Sequence, residues 1–183
     1  YKAGKPAGES TTWFDNGQIE SELNFKDGDL VDSAQFKYYD NNQIKSEKYY
    51  KDGKSDGKWT FWDKNGQIES ELNYKDGDLV DRAQFKYYDN NQIDSVKTYK
   101  NDLLNGKSTF YWYENGQKFI DGSYKDNKPD DKWTIWHKNG RQKEELNYKD
   151  GDLVDRTIFK YRYFTGHLKS KKKYKDGKCI SGC

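Results

Sequence analysis

The sequence predicts an all-β fold: an elongated single-layer antiparallel β-meander built of tandem two-stranded hairpin repeats. Three observations carry that prediction. A YKDG-like phrase returns in steps of 24, 25, 24, 25, 25, 24 and 26 residues. Asn-Gly, or a close variant, sits between successive returns. No stretch of useful length shows a helical period.

The phrase begins at Tyr1, Phe25, Tyr50, Tyr74, Tyr99, Tyr124, Tyr148 and Tyr174. Residues 1–183 therefore read as one repeat domain, seven full units followed by a partial unit at 174–183. A double period of 49 is also present, because Asn16 to Ile44 matches Asn65 to Ile93 at 27 of 29 positions. The two differences are Phe25 against Tyr74 and Ser33 against Arg82. That similarity points to tandem duplication as well as to a shared structural demand. Short units (YKDGKSDG) alternate with long ones (FKDGDLVD and YKDGDLVD), broken by one odd unit from Tyr99.

Each unit reads as strand, turn, strand, turn. In Lys58 to Lys75 an aromatic run leads to Asn65-Gly66, and an alternating run follows. Asn-Gly between such runs is a strong hairpin signal. Asn16-Gly17, Asn115-Gly116, Asn139-Gly140 and Thr165-Gly166 hold the same place, with Asn41-Asn42 and Asn90-Asn91 in the long units. Asn also tolerates left-handed backbone. A second turn falls at Asp27-Gly28, Asp52-Gly53, Asp76-Gly77, Asp150-Gly151 and Asp176-Gly177. Two strands in each of seven units give about fourteen strands.

A three-residue loop closed by Gly or Asn in the left-handed region pairs Asp63 with Gln67 and Trp62 with Ile68. Strict alternation from there puts Thr60, Trp62, Ile68, Ser70, Leu72 and Tyr74 on one face. It puts Trp59 and Phe61 on the other, with Glu69, Glu71 and Asn73. In the long unit, Phe36, Tyr38, Ile44 and Tyr50 share a face. Two aromatic columns follow: Trp13, Tyr38, Trp62, Tyr87, Trp112, Trp136 and Tyr161, and the unit-initial rings. Column neighbours lie two strands apart, about 9.5 Å. Other side chains, among them Phe36, Ile68 and Leu72, must fill between them.

Composition narrows the classes. Leu, Ile, Val and Phe number 30 of 183 residues, about 16%, a disorder-like value. Aromatics are nevertheless 17%, and the net charge is only +2. Disordered chains lack that aromatic content, so the chain is read as folded around a thin aromatic core. No apolar run is long enough to span a bilayer. The mixed charge offers no nucleic-acid face, and the lysines between Lys169 and Lys178 read as a solvated hairpin. The start at Tyr1 without Met reads as a trimmed or processed chain. The compartment is not legible, although a bacterial secreted or cell-surface setting is favoured over a cytoplasmic one.

The unit Tyr50 to Asn73, YKDGKSDGKWTFWDKNGQIESELN, resembles the bacterial variant of the MORN repeat. The resemblance is fair for Tyr1 to Asn24, Tyr99 to Ser123 and Tyr124 to Asn147. The long units depart from it, holding Ser33 and Arg82 where a second Gly is expected. The resemblance implies a twisted single-layer antiparallel sheet used for scaffolding or binding, and no catalysis. It also implies antitoxin or immunity proteins, and surface repeat proteins, as relatives. A second likeness, to choline-binding wall repeats, is disfavoured by the 24–25-residue period.

Little catalytic or metal chemistry is on offer. His137 and His167 follow no metal spacing. Cys179 and Cys183 make one half-site, too few ligands for zinc, and are read as a terminal disulfide or free thiols. The recurrent Asp27, Asp29 and Asp32 read as turn residues rather than a calcium loop. No cofactor and no metal are expected. The candidate binding residues are the aromatics placed on the charged face: Trp59, Phe61, Tyr39, Tyr88, Tyr113 and Trp133. Tyr and Trp dominate protein-binding hot spots, so the expected partner is a protein. An immunity protein that neutralises a toxin and a glycan-binding wall module stand as alternatives, and a homodimer stays open.

Overall fold

The computed structural model describes residue 2 and residues 4–183. Tyr1, where the first repeat begins, lies outside them. The strands are β1 (Gly8–Trp13), β2 (Ile19–Lys26), β3 (Asp29–Tyr38), β4 (Ile44–Lys51), β5 (Lys54–Ser55), β6 (Gly57–Trp62), β7 (Ile68–Lys75) and β8 (Asp78–Tyr87). They continue as β9 (Ile93–Lys100), β10 (Leu103–Tyr111), β11 (Lys118–Lys125), β12 (Lys128–Trp136), β13 (Gln142–Lys149), β14 (Asp152–Tyr161), β15 (Leu168–Lys175) and β16 (Lys178–Ser181). All sixteen lie in one antiparallel sheet in chain order, with β5 beside β6 against β4. The count exceeds fourteen because Asp56 separates β5 from β6 and the partial repeat adds β16. The chain divides into two compact units, Tyr1–Gln84 and Phe85–Cys183.

Both turn types form where the sequence places them, except that the loops at Asn115-Gly116 and Thr165-Gly166 hold one residue more, Trp112 N–H donating to the Gln117 carbonyl and Arg162 N–H to the His167 carbonyl, so that Tyr111 and not Trp112 pairs with Lys118 in the expected aromatic column. Lys75 pairs with Asp78, leaving Asp76 and Gly77 as a two-residue turn with φ of 52° and 100°. Two positive φ values make it a primed turn, whose twist suits the strands it joins. Asn101-Asp102 and Asp126-Asn127 adopt the same conformation without glycine, as short polar side chains permit. At the other end of the strands, Asp63 N–H donates to the Gln67 carbonyl at 2.8 Å, and Trp62 pairs with Ile68. Gly66 closes that loop at φ 80°, and Asn42 and Asn91 do so at 64°.

One step beyond the loop, strict alternation fails. Phe61 pairs with Ser70, so Glu69 is an extra residue in β7. A bulge of this kind shifts register by one and moves every later side chain to the opposite face. Trp59 stands opposite Leu72 rather than Glu71, and Thr60 opposite Glu71. In the third hairpin of the same form Trp133 stands opposite Leu146. The long unit shifts likewise: Phe36 faces Glu47, while Tyr50 faces Ser33. The expected sorting of faces is therefore overturned for Trp59, Phe61, Trp133 and Phe36.

The interior is unusual in a way the composition foreshadows. Ala34, Trp133 and Phe159 are the buried hydrophobic residues among those described, beside buried Ser46, Thr60, Ser95, Ser108, Thr109, Thr134 and Thr157. Strand positions become fully covered in this sheet mainly where the residue is small and longer neighbours lean over it. Most other large rings are half-buried and pack against one another in tilted or edge-on pairs.

Candidate binding surfaces

The two tryptophans singled out as surface residues hold the sheet together instead. The Trp59 ring lies between Tyr50 and Tyr74, with centroids 5.2 and 4.5 Å away. Its Nε1–H donates to the Tyr49 carbonyl at 2.8 Å. Trp133 repeats the arrangement between Tyr124 at 4.9 Å and Tyr148 at 6.3 Å, donating to the Ser123 carbonyl at 3.0 Å. Each indole fills the gap between successive unit-initial tyrosines that the sequence reading leaves to phenylalanines and aliphatic residues. Trp133 is only 6% exposed. Burial raises the Tyr50 and Tyr124 hydroxyls above the usual tyrosine range. The residue across from each indole differs. The Lys48 ammonium stands 4.7 Å from the Trp59 ring, whereas Gly122 leaves room for the Trp133 ring against the backbone.

The other four candidates divide. Tyr39 hydroxyl donates to the Trp62 carbonyl at 2.6 Å, and Tyr88 hydroxyl to the Tyr111 carbonyl at 2.7 Å. These phenols tie one hairpin to the next. Phe61 is half-buried, with Lys48 Nζ 5.4 Å from its ring. Tyr113 packs edge-on against Tyr88 at 5.2 Å yet stays 50% exposed. In the first unit Lys48 gathers Trp59 and Phe61, while Tyr39 stands at its own hairpin end. In the second, Tyr88 and Tyr113 meet.

Sequence reasoning missed a ladder of amides along the Asn-Gly end. Asn41 Nδ2 donates to the Lys64 carbonyl at 3.0 Å, Asn90 to that of Tyr113 at 3.1 Å, and Asn115 to that of Lys138 at 2.6 Å. The asparagines thus serve the next hairpin as well as their own turn. The signal available was the Gln at fixed spacing after each turn: Gln43 and Gln92 lie against Gly66 and Gly116 of the following hairpin. The Asp-Gly end is stitched too. Asp52 N–H donates to the Val31 carbonyl at 2.7 Å, and Gly77 N–H to that of Ser55 at 2.8 Å. The Asp76 amide and the Lys75 ammonium both donate to Asp56, holding its carboxyl below the usual range.

A second missed feature is apolar. Each long unit carries Asp-Leu-Val-Asp just after its Asp-Gly turn. The leucines pair with unit-initial rings, Leu79 with Tyr74 and Leu153 with Tyr148, yet remain 47% and 49% exposed. Val80 and Val154, at the register shifts, are exposed beside them. Leu30 repeats the exposure in the first long unit.

Among the described residues, no group of three His, Cys, Asp or Glu side chains is placed to hold a metal ion. Cys179 and Cys183 form a disulfide. Among the described residues, no helix is long and apolar enough to cross a membrane.

Comparison with known families agrees with the repeat geometry. The profile of the MORN repeat variant family matches residues 6–27, 32–52 and 55–76. No curated protein matches the chain. Among solved structures, a TcdB2–TccC3–TEV structure is similar over 92% of this chain and 10% of that one, at 9% identity and a TM-score of 0.42. The chain thus spans about a tenth of that protein's length. A DUF3836 family protein from Parabacteroides distasonis is similar over 62% of this chain and 82% of its own, at 18% identity and a TM-score of 0.20.

Proposed function

We propose that this chain, whose residues 6–76 are three tandem repeats of the MORN variant, is a non-enzymatic scaffold that binds a protein partner through its sheet. The observation that carries the reading is the recurrence of exposed Leu79-Val80 and Leu153-Val154 at the same bulge of equivalent repeats. The sheet is held by its tyrosines, tryptophans and amide ladders, so these aliphatic pairs are spare. Apolar side chains presented on a fixed backbone suit a protein surface, because little ordering entropy is left to lose on binding. Tyr113 adds an exposed ring of the type that anchors interfaces.

The test is a pull-down with wild type beside two double variants, Leu79→Asp/Val80→Asp and Leu153→Asp/Val154→Asp. A protein retained by wild type and lost from both variants, with unchanged melting, supports the reading. If that protein is a toxin, the immunity role follows. Retention of polysaccharide alone, unaffected by the variants, overturns it in favour of a wall-binding module.

A further inference from the structure

The first hairpin breaks a charge pattern that its sister hairpins keep. Lys58 Nζ meets Glu71 at 2.8 Å, and Lys132 meets Glu145 in the equivalent place. Strands β1 and β2 pair in the same register, Gly8 with Phe25 as Gly57 with Tyr74. Glu9 therefore stands where Lys58 and Lys132 stand, and Glu22 where their glutamate partners stand. Neither Glu9 nor Glu22 has an ion pair among the described residues. Asp32 and Asp56 complete the acidic wall of a groove of about 500 Å³, in which Lys51 is the only cation among the described residues. Its floor includes Ala34, 5% exposed, with Tyr49 alongside. The groove is within the size range of ligand clefts and pairs an apolar floor with carboxylate walls.

The loop between β14 and β15 departs from its sisters in the opposite sense. Where most other hairpins turn with Asp, Asn and Gly, and the β10–β11 loop adds one ring, Tyr113, this one holds Tyr163 and Phe164 side by side, 94% and 96% exposed. The two rings pack edge-on at 5.2 Å, and Tyr163 and Phe164 are the most exposed large hydrophobic residues described. Arg162, Lys160 and Lys169 line one groove with Tyr163, exposed and without an ion pair among the described residues. Arg141 takes the place of the glutamine found in most other hairpins, its guanidinium 5.5 Å from the Tyr161 ring. An aromatic tip with a cationic collar is the complement of an apolar floor with carboxylate walls.

We propose that the Tyr163–Phe164 tip of one copy docks in the Glu9–Glu22 groove of a second copy. The rings cover Ala34 and Tyr49, and Arg162 and Lys169 meet Glu9, Glu22 and Asp32. The contact is heterologous, since each copy offers one tip and one groove.

Sedimentation velocity on the full chain tests this. Wild type is expected to associate with rising concentration, less so at high salt, because exposed ion pairs are screened. Tyr163→Ala/Phe164→Ala and, separately, Glu9→Lys are each expected to weaken association about tenfold or more. Both changes are safe for folding: the rings are exposed, and Lys is the residue the sister hairpins already use. Mixing the two variants restores dimers, because one keeps an intact groove and the other an intact tip. A chain that stays monomeric at millimolar concentration overturns the proposal. So does association that ignores both variants, or a mixture that does not complement. None of these outcomes bears on the Leu-Val pairs, which lie outside this contact.

Discussion

Trp133 lies where a side chain on Gly122 would be: a Cβ added there falls 2.1 Å from the indole Cδ2. Neither residue can change independently. The ring needs a bare backbone beneath it, and its Nε1–H needs the Ser123 carbonyl one residue further along the same strand.

Gly122→Ala should therefore push the indole from its slot between Tyr124 and Tyr148. The expected loss is on the order of 2 kcal/mol, as for overpacking at a filled site. Urea unfolding followed by tryptophan fluorescence measures it. A midpoint equal to wild type would contradict the packing described.

Trp133→Ala and Trp59→Ala should both destabilise. For Trp133, buried and hydrogen-bonded, about 3–5 kcal/mol is expected; the loss at half-buried Trp59 should be smaller. Calorimetry on the two variants gives the order. Unchanged melting for both would return the indoles to the role of surface ligands.

Asn115→Ala removes the amide that donates to the Lys138 carbonyl and accepts from Gln117 N–H, while leaving the Asn-Gly turn its glycine. About 1–3 kcal/mol is expected, the usual scale for two such hydrogen bonds. Faster amide exchange in the next hairpin, but not in distant ones, would locate the loss at the ladder.

Two ends of the pH scale test the first unit. The Asp56 carboxyl is held below its ordinary range, first by the Asp76 amide and then by Lys75. Its contribution is present above the unfolded carboxylate pKa and is lost as pH falls through the lower folded value. Wild type should lose more stability on acidification than Asp56→Asn, by denaturant midpoints. Tyr49 donates to Glu47, and that bond pushes its hydroxyl up to about 12. The stabilisation is complete below about 10, the unfolded value, and is lost as pH rises through 12. Tyr49→Phe should flatten that alkaline decline and remove a late-titrating phenol from the ultraviolet spectrum.

By itself the sequence determined the period, the hairpins, both turn types and the first pair beyond each three-residue loop. Those features are local. Asp76-Gly77 and Asn65-Gly66 demand left-handed backbone, and that demand is written in the residues themselves. It did not determine which face Trp59, Phe61 and Trp133 occupy. A single extra residue, Glu69, reverses a period-two pattern, and nothing in an alternating run marks where that residue is absorbed. Only cross-strand packing decides it, because the indole fits between Tyr50 and Tyr74 on one face and would meet charged side chains on the other. The amide ladders were likewise settled by neighbouring hairpins. Each bond joins residues more than twenty positions apart, a distance the chain closes only once the sheet has formed.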